Sequence, residues 1–256
     1  MSEKIMDNVK KLNKELYLIE CKNWVISQGR GTSAAGQTLE LLLNKKLDSI
    51  PLADKYGIEI KSRSLHSDYP LHLFCATFDN RPLEIQRLFD IGAYTCKNDS
   101  DFKAFNTSVS AVCYKTIRWN KYKINVDYNE EKVKLLIYKP SANIPYSEMS
   151  WSFYELENRL NHKLKYMVLV SVLRDIKNDN VYFKYIKPKF YKLRGFREFL
   201  KLIETGEICV TFKINQFKSG ERKGQILDRG TSFDININSL EKLFEEINLD
   251  KINWVF

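Results

Sequence analysis

Three polar residues in the segment ADKYGIEIKSR have the types and spacing of a metal-dependent hydrolytic site. Asp54 is followed five residues later by Glu59, and Lys61 comes after one intervening residue. Because side chains two apart on a strand share a face, Glu59 and Lys61 are expected side by side. Two neighbouring carboxylates can hold Mg²⁺, which prefers oxygen ligands and would stabilise the charge that develops on a phosphodiester. The spacing by itself fits a solvated strand face as well as a nuclease site.

Strict alternation of apolar and polar residues predicts the strand that would carry these side chains, over residues 56–63. The apolar run at 71–78 is predicted as its neighbouring strand. Upstream, apolar residues at helical spacing predict an amphipathic helix in the first twenty residues. A glycine-rich turn then leads into a second helix over residues 34–43, with Ser33 as its N-cap.

The rest of the chain is predicted to be richer in strands. The predicted elements are a short helix bracketed by Pro82 and Gly92, a strand at 133–138, a hairpin across an Asn-Asp-Asn turn, a helix closed by Gly206, a hairpin turn at 219–224 and a final helix from about Ser239. Helices alternating with strands early, and hairpins later, predict an α/β or α+β protein with a mixed sheet.

Composition limits the classes of function. The chain has 256 residues with 44% hydrophobic and 29% charged residues, an ordinary globular balance. It has no apolar run long enough for a membrane span and no secretory h-region, so we expect the cytoplasm of a bacterial cell. The net charge of +9 suits a polyanionic partner such as DNA. Five scattered cysteines favour reduced thiols mostly packed in the core, and His66 and His72 lack partners at metal-binding spacing.

Several further segments surround the Asp-x(4)-Glu-x-Lys motif. They are a glycine-rich turn before a helix with Leu39-Glu40, a Leu-Phe strand after the motif, and LDRGTSFDI at residues 227–235. Together they resemble the MvaI/BcnI group of type II restriction endonucleases, which is related to the mismatch-repair nicking enzyme MutH. The resemblance covers both ends of the chain, and the joint pattern is far more specific than the motif alone.

This resemblance implies a single endonuclease domain with a mixed β-sheet core flanked by helices, in two lobes that clamp double-stranded DNA. Residues 1–100, approximately, would form the catalytic lobe and 101–256 mostly the recognition lobe. Asp54 and Glu59 would be the Mg²⁺ ligands, Lys61 the catalytic lysine, and Glu40 a helix glutamate beside the active site. Such enzymes commonly act as monomers, with a dimer or heterodimer on DNA as the other possibility.

Candidate DNA contacts come from two places in the sequence. Arg63 shares the polar strand face with the motif, where it would touch the scissile strand or form a surface salt bridge. The hairpin at 219–233 supplies the candidates for base readout, because arginine and lysine pair with guanine and aspartate accepts from cytosine; these are Arg222, Lys223, Asp228, Arg229 and Thr231. Arg229 stands where the group often has histidine, so the sequence preference is expected to differ.

Two alternative functions stay open from the sequence. The first is a MutH-like nicking enzyme or the nicking subunit of a heterodimer. The second is a DNA-binding protein without catalysis, in which the motif is accidental.

Overall fold

The chain forms helices and hairpins, and a computed structural model describes residues 2–45, 52–96 and 99–249. The helices are α1 (Glu3–Cys21), α2 (Ala34–Leu42), α3 (Arg81–Gly92), α4 (Phe153–Leu164), α5 (Phe196–Glu204) and the short α6 (Leu240–Leu243). The strands are β1 (Val25–Ile26), β2 (Glu59–Ser64), β3 (Leu71–Cys75), β4 (Tyr94–Cys96), β5 (Asp99–Val109), β6 (Lys115–Ile117), β7 (Asn120–Asp127), β8 (Lys132–Tyr138), β9 (Ser147–Ser152), β10 (Tyr166–Lys177), β11 (Asn180–Leu193), β12 (Ile208–Gln216), β13 (Ile226–Asp228), β14 (Ser232–Ile235) and β15 (Phe244–Glu246).

The chain divides into two compact units that are discontinuous in sequence. The first unit is Met1–Tyr69, Leu160–Arg194 and Glu241–Phe256, and the second is Pro70–Arg159 and Gly195–Leu240. The chain therefore passes between the units near residues 70, 160, 195 and 241, and none of these passages falls at the predicted boundary near residue 100. The assignment of catalysis and recognition to separate lobes stays a prediction.

The first unit is built on a five-stranded mixed sheet. Its strands run in the order β1-β11-β10-β2, and β15 pairs with β11. β2 pairs in parallel with β10, whereas the other pairs are antiparallel, which confirms the predicted mixed sheet. One side of α1 is buried in the core of this unit through Val9, Leu12, Leu16 and Ile19. Each such side chain contributes about 1.5–3 kcal/mol on burial.

The second unit contains two further sheets and an aromatic core. One sheet has the order β3-β14-β12-β5-β4 with β13 paired to β12, and the other has the order β6-β7-β8-β9. Stacked Phe74 and Phe233, with ring centroids 5.3 Å apart, hold β3 and β14 together at the centre. The indole of Trp151 donates to the Ala76 carbonyl, so this large buried ring also satisfies its polar group.

Several sequence predictions are confirmed in this fold. α1, the helix closed by Gly206, and the turns at Asn178–Asp179 and at 219–224 all form as expected. Asn178 and Asp179 both have positive φ, as a two-residue hairpin turn requires. No helix in the described ranges is both long and apolar enough to cross a membrane.

Other predictions are wrong, each for a physical reason. The strand that carries Glu59 and Lys61 begins at Glu59 rather than at residue 56, because a tight turn precedes it. Its neighbour is β10, since the run at 71–78 forms β3 in the other unit. Ser33 precedes α2 but makes no side-chain cap, because its hydroxyl bonds to Arg30 and Gln37 instead. The final helix has one turn and gives way to β15.

Candidate active site

A tight turn folds Asp54 back onto the start of β2. Tyr56 and Gly57 both have left-handed backbone conformations, with φ of 56° and 75°, and glycine adopts this conformation without steric cost. The turn places Asp54 beside the strand, where its Oδ2 accepts a hydrogen bond of 2.8 Å from the Ile60 N–H. The four residues between Asp54 and Glu59 thus form the turn that brings both carboxylates to the same end of β2.

Glu59 is the buried centre of the site, with only 4% of its surface exposed. Its Oε1 accepts a hydrogen bond of 3.1 Å from Lys61 Nζ and lies 3.5 Å from Lys163 Nζ. Among the described atoms, no donor reaches its other oxygen, Oε2. The predicted polar face of the strand is therefore a buried, charged cluster, and the alternative of a solvated face is wrong.

A second ion-pair group lies on the Asp54 side of the site. Lys45 Nζ lies 2.7 Å from Asp54 Oδ1 and 3.1 Å from Glu40 Oε2. Both Asp54 oxygens are thus engaged, one by Lys45 and the other by the amide of β2. Glu40, on α2, reaches Asp54 through the Lys45 ammonium, which is consistent with the predicted position of this helix glutamate beside the motif.

The charges in the cluster perturb one another. Burial raises the pKa of the Glu59 carboxyl; Lys61 and Lys163 oppose this rise, whereas the negative charge of Asp54 adds to it. Burial alone would lower the pKa of Lys45, but its contacts with Asp54 and Glu40 outweigh this effect and raise it. Lys45 is therefore held in its charged form, whereas the surroundings of Glu59 disfavour its ionised form relative to water.

This donor set fits a hard divalent cation. Asp54 and Glu59 supply carboxylate oxygens, and the unpartnered Oε2 of Glu59 is a buried acceptor that a cation would satisfy. Within the described ranges, no group of three or more His, Cys, Asp or Glu side chains could hold a metal. A site with two carboxylates suits Mg²⁺, which usually keeps several waters, better than a closed site made only of protein ligands.

Arg63 has a structural role in the loop after β2. Its guanidinium donates to the main-chain carbonyl of Tyr69 at 2.5 Å and also to that of Ser67. Both contacts fix the loop that follows the catalytic strand. The expected contact between Arg63 and the scissile DNA strand stays a prediction.

Two of the predicted base-reading residues are exposed on the hairpin between β12 and β13. The Arg222 guanidinium lies over the ring of Phe217, 4.1 Å from its centroid, and Lys223 Nζ lies 5.9 Å from the centroid of Phe102. Stacking on aromatic rings restricts these long side chains before any ligand arrives. Both side chains are therefore exposed on the second unit but held against aromatic rings.

The other three predicted DNA contacts lie at the end of β13 and directly after it. Asp228 Oδ1 accepts a hydrogen bond of 2.8 Å from the Gly230 N–H, and the side chain of Arg229 is exposed. Thr231, in contrast, is only 1% exposed, and its carbonyl accepts from the Ala76 N–H. A direct contact between the Thr231 side chain and DNA is therefore not expected from this geometry.

Lys45 and Lys163 are the residues that sequence reasoning missed. Both lie outside the Asp-x(4)-Glu-x-Lys motif, and nothing in the sequence around either lysine indicates that it contacts the motif. A signal for α4 itself was present, since Leu156, Leu160 and Leu164 recur at four-residue intervals and are all fully buried. That helix could have been predicted, although its approach to Glu59 could not.

Comparison with known proteins tests the family expected from the motifs. The model of the MvaI/BcnI restriction endonuclease family matches residues 13–244. The chain belongs to this family. A solved structure described as a restriction endonuclease MvaI-cognate DNA substrate complex is similar at 26% identity and a TM-score of 0.86, covering 96% of this chain and 98% of that one. Restriction endonuclease MvaI in the absence of DNA is similar at the same identity and coverage, with a TM-score of 0.61.

No curated protein sequence matches the chain significantly. Membership of the MvaI/BcnI family confirms the predicted restriction-endonuclease-like α+β fold. The protein is a type II restriction endonuclease that cleaves specific DNA. Enzymes of this family are generally metal-dependent, in agreement with the carboxylates of Asp54 and Glu59 at the start of β2.

Proposed function

We propose that this MvaI/BcnI family member hydrolyses both strands of a specific double-stranded DNA sequence with Mg²⁺ as cofactor, leaving 5′-phosphate and 3′-hydroxyl ends. The observation that carries this proposal is the buried Glu59, which has two lysine ammonium groups at one oxygen and, among the described residues, no hydrogen-bond partner at the other. Such an arrangement is unfavourable in a resting protein, because a buried acceptor without a partner costs free energy. It is useful where a cation and an anionic substrate must bind.

Asp54 and Glu59 are the proposed Mg²⁺ ligands. When bound, the cation supplies a positive centre that stabilises negative charge developing on the phosphodiester. The Ile60 amide and the Lys45 ammonium fix both oxygens of Asp54 before binding, and Glu40 holds Lys45 from the other side. The geometry of the ligand is thus set by the turn and by α2, which reduces the cost of ordering it.

Lys61 is the proposed catalytic lysine, and Lys163 is proposed to position Glu59. Glu59 Oε1 orients the Lys61 ammonium, whose remaining protons can donate to a phosphate oxygen or to the attacking water. A preorganised cation stabilises the transition state more than the ground state, because the phosphate gains charge as the water adds. Lys163 contributes a second positive charge at the same carboxylate oxygen.

DNA binding is proposed to use exposed cations of the second unit, with catalysis in the first. Arg222, Lys223 and Arg229 are exposed there and can donate to base edges or phosphates. The net charge of +9 favours a polyanion in the same way. We place this activity in the bacterial cytoplasm, where DNA entering a cell would be cut. We propose that the protein acts as a monomer that cuts the two strands in turn, as the family resemblance implies.

The test is digestion of phage DNA and of a supercoiled plasmid with the purified full chain. With Mg²⁺ we expect discrete fragments, and on the plasmid an open-circle form that precedes the linear form. Chelation with EDTA should abolish both products, because the carboxylate pair would then lack its cation. Sequencing of the fragment ends identifies the site. A reaction that stops at the open circle would replace the proposal by a nicking enzyme, and sequence-specific retention without cutting in any divalent metal would reject catalysis.

Replacing Lys163 with alanine is expected to lower the turnover rate by about ten- to a hundredfold, since one of two cations at Glu59 is lost. Binding of DNA, measured by filter retention in Ca²⁺, should change less than threefold. Lys165→Ala is the matched control, because Lys165 lies two residues on and is exposed. Lys163→Arg should recover part of the rate. Equal losses in Lys163→Ala and Lys165→Ala would contradict the assigned role.

A further inference from the structure

A β-bulge brings a histidine and a cysteine of β3 to one side of the strand. Phe74 pairs with Phe233 and His72 pairs with Asp234, which leaves Leu73 without a partner in the register. In a regular strand, residues three apart point to opposite faces. The extra residue cancels this alternation, so His72 and Cys75 are both exposed while Leu73 and Phe74 between them are buried. Bulges of this kind commonly redirect a side chain at a functional site.

The side chains form a thiol–imidazole–carboxylate series. Cys75 Sγ lies 3.8 Å from His72 Nε2, and His72 Nδ1 lies 3.1 Å from Asp234 Oδ1. The hydroxyl of Ser232 donates to the other oxygen of Asp234 at 3.0 Å. A nucleophile beside a base that a third group orients is the general arrangement of an activated cysteine. All four residues belong to the second unit, which does not contain the Asp54, Glu59 and Lys61 cluster.

The local charges favour a reactive thiol. Burial tends to raise the pKa of Asp234, but hydrogen bonds and charge from His72 and its other partners outweigh this and lower it, so the carboxylate stays ionised. The Arg159 guanidinium donates to the Cys75 carbonyl at 3.3 Å, which places a positive charge at the main chain of this residue. His72 is 46% exposed in its side chain, so reagents can reach it. The expectation that the cysteines are mostly core residues is wrong, because Cys21, Cys75 and Cys113 are all exposed.

We propose that Cys75 is a thiol-exchange site that takes small-molecule disulfides and other soft electrophiles. The Sγ–H proton moves to His72 Nε2, and the thiolate attacks one sulfur of the incoming disulfide. A new S–S bond forms to Cys75, the original S–S bond breaks, and the second sulfur leaves as a thiolate. Cys75 is oxidised to a mixed disulfide while half of the reagent is reduced. Asp234 acts as a positioning residue that holds the His72 ring.

The mixed disulfide would disturb the neighbouring segment. A Cβ built on Gly230 would lie 3.2 Å from Cys75 Sγ, and Gly230 has φ of +93°, so the sulfur packs directly against this turn. Arg229 precedes Gly230 and is one of the proposed DNA contacts. A group added to the sulfur must displace the turn or project over it. Modification is therefore expected to inhibit DNA cleavage, a consequence that rests on the proposed function.

The exchange is tested on the full chain with dithionitrobenzoate, and modification of each cysteine is followed over time by peptide mass spectrometry. We expect Cys75 to react at least about tenfold faster than Cys21 and Cys113, which are exposed controls in the same molecule. His72→Asn should reduce the rate at Cys75 to that of Cys113 without changing Cys21, and Asp234→Asn should reduce it in part. Continued slow reaction of Cys209, which is partly buried in the same unit, shows that each variant is folded. A Cys75 rate no faster than Cys113, or unaffected by His72→Asn, overturns the proposal.

The effect on cleavage is measured separately with phage DNA and Mg²⁺. Fully modified protein should lose at least about 90% of its activity and recover it with dithiothreitol, whereas Cys75→Ser should be insensitive to the reagent. Full activity after complete modification of Cys75 would reject the inhibitory effect. If unmodified protein cuts no DNA, the proposed function fails, but the thiol rates still decide whether Cys75 is activated.

Discussion

Replacing Lys61 with alanine is expected to reduce DNA cleavage at least about a thousandfold while leaving DNA binding within a few fold. The Lys61 ammonium is held 3.1 Å from Glu59 Oε1 in a largely buried site, so its charge acts with little screening by water. Removing it would leave the transition state without its positioned cation, whereas binding relies on the distributed basic surface. Initial rates on a plasmid with the recognition site, together with filter binding in Ca²⁺, measure the two effects.

Lys177→Ala is the matched control for this change. Lys177 belongs to the same unit, but it is exposed and paired with Asp175, so its loss should change the rate less than twofold. Far-ultraviolet circular dichroism and the unfolding midpoint establish that Lys61→Ala is folded. Cleavage by Lys61→Ala within about tenfold of wild type would remove this residue from the catalytic role.

Glu59→Gln is expected to reduce DNA cleavage strongly without reducing the stability of the metal-free protein. Cleavage should fall at least about a thousandfold, because an amide is a poor ligand for Mg²⁺ and cannot balance Lys61. The metal-free unfolding midpoint should not fall, since the substitution keeps the shape of a side chain whose ionised form is disfavoured by burial. Wild type should gain stability from added Mg²⁺, whereas the variant should gain little.

Thermal unfolding with and without Mg²⁺, beside plasmid cleavage, measures these effects. Glu246→Gln is a matched control, because Glu246 pairs with Lys189 at the surface of the same unit. It should keep both the cleavage rate and the stabilisation by Mg²⁺. If Mg²⁺ raises the midpoint of Glu59→Gln as much as that of wild type, the metal ligands lie elsewhere.

Local signals predicted much of the fold because many elements are determined by neighbouring residues. The β10–β11 hairpin follows from its two-residue turn, and α1 from the spacing of Val9 and Leu12. The partner of β2 could not be found in this way. Parallel strands must be joined by a long connection, and here β2 pairs with β10 across most of the second unit. Nothing in the sequence near residue 59 identifies that partner.

The motif was predicted by type and spacing, but its environment was not. Alternation placed Glu59 and Lys61 on one polar face, as the structure has them, but left open whether that face was solvated or a nuclease site. Glu59 is buried, and the Lys163 ammonium that lies 3.5 Å from it comes more than a hundred residues later in the sequence. Lys45 was missed for the same reason, since a lone lysine has no periodicity to interpret. The charges around the site thus come from residues that only the folded chain brings together, although Asp54, Glu59 and Lys61 are close in sequence.

The parallel pairing of β2 with β10 also sets when the site can form during synthesis. Glu59 emerges from the ribosome early, but its strand partner and Lys163 are still to be made. At about 5–20 residues per second, the delay is on the order of ten seconds. A nascent chain at this stage therefore carries Asp54, Glu59 and Lys61 but lacks both β10 and the ammonium group of Lys163. The active site is therefore expected to form only after β10 has been made, so the chain should not cut DNA before that point of its synthesis.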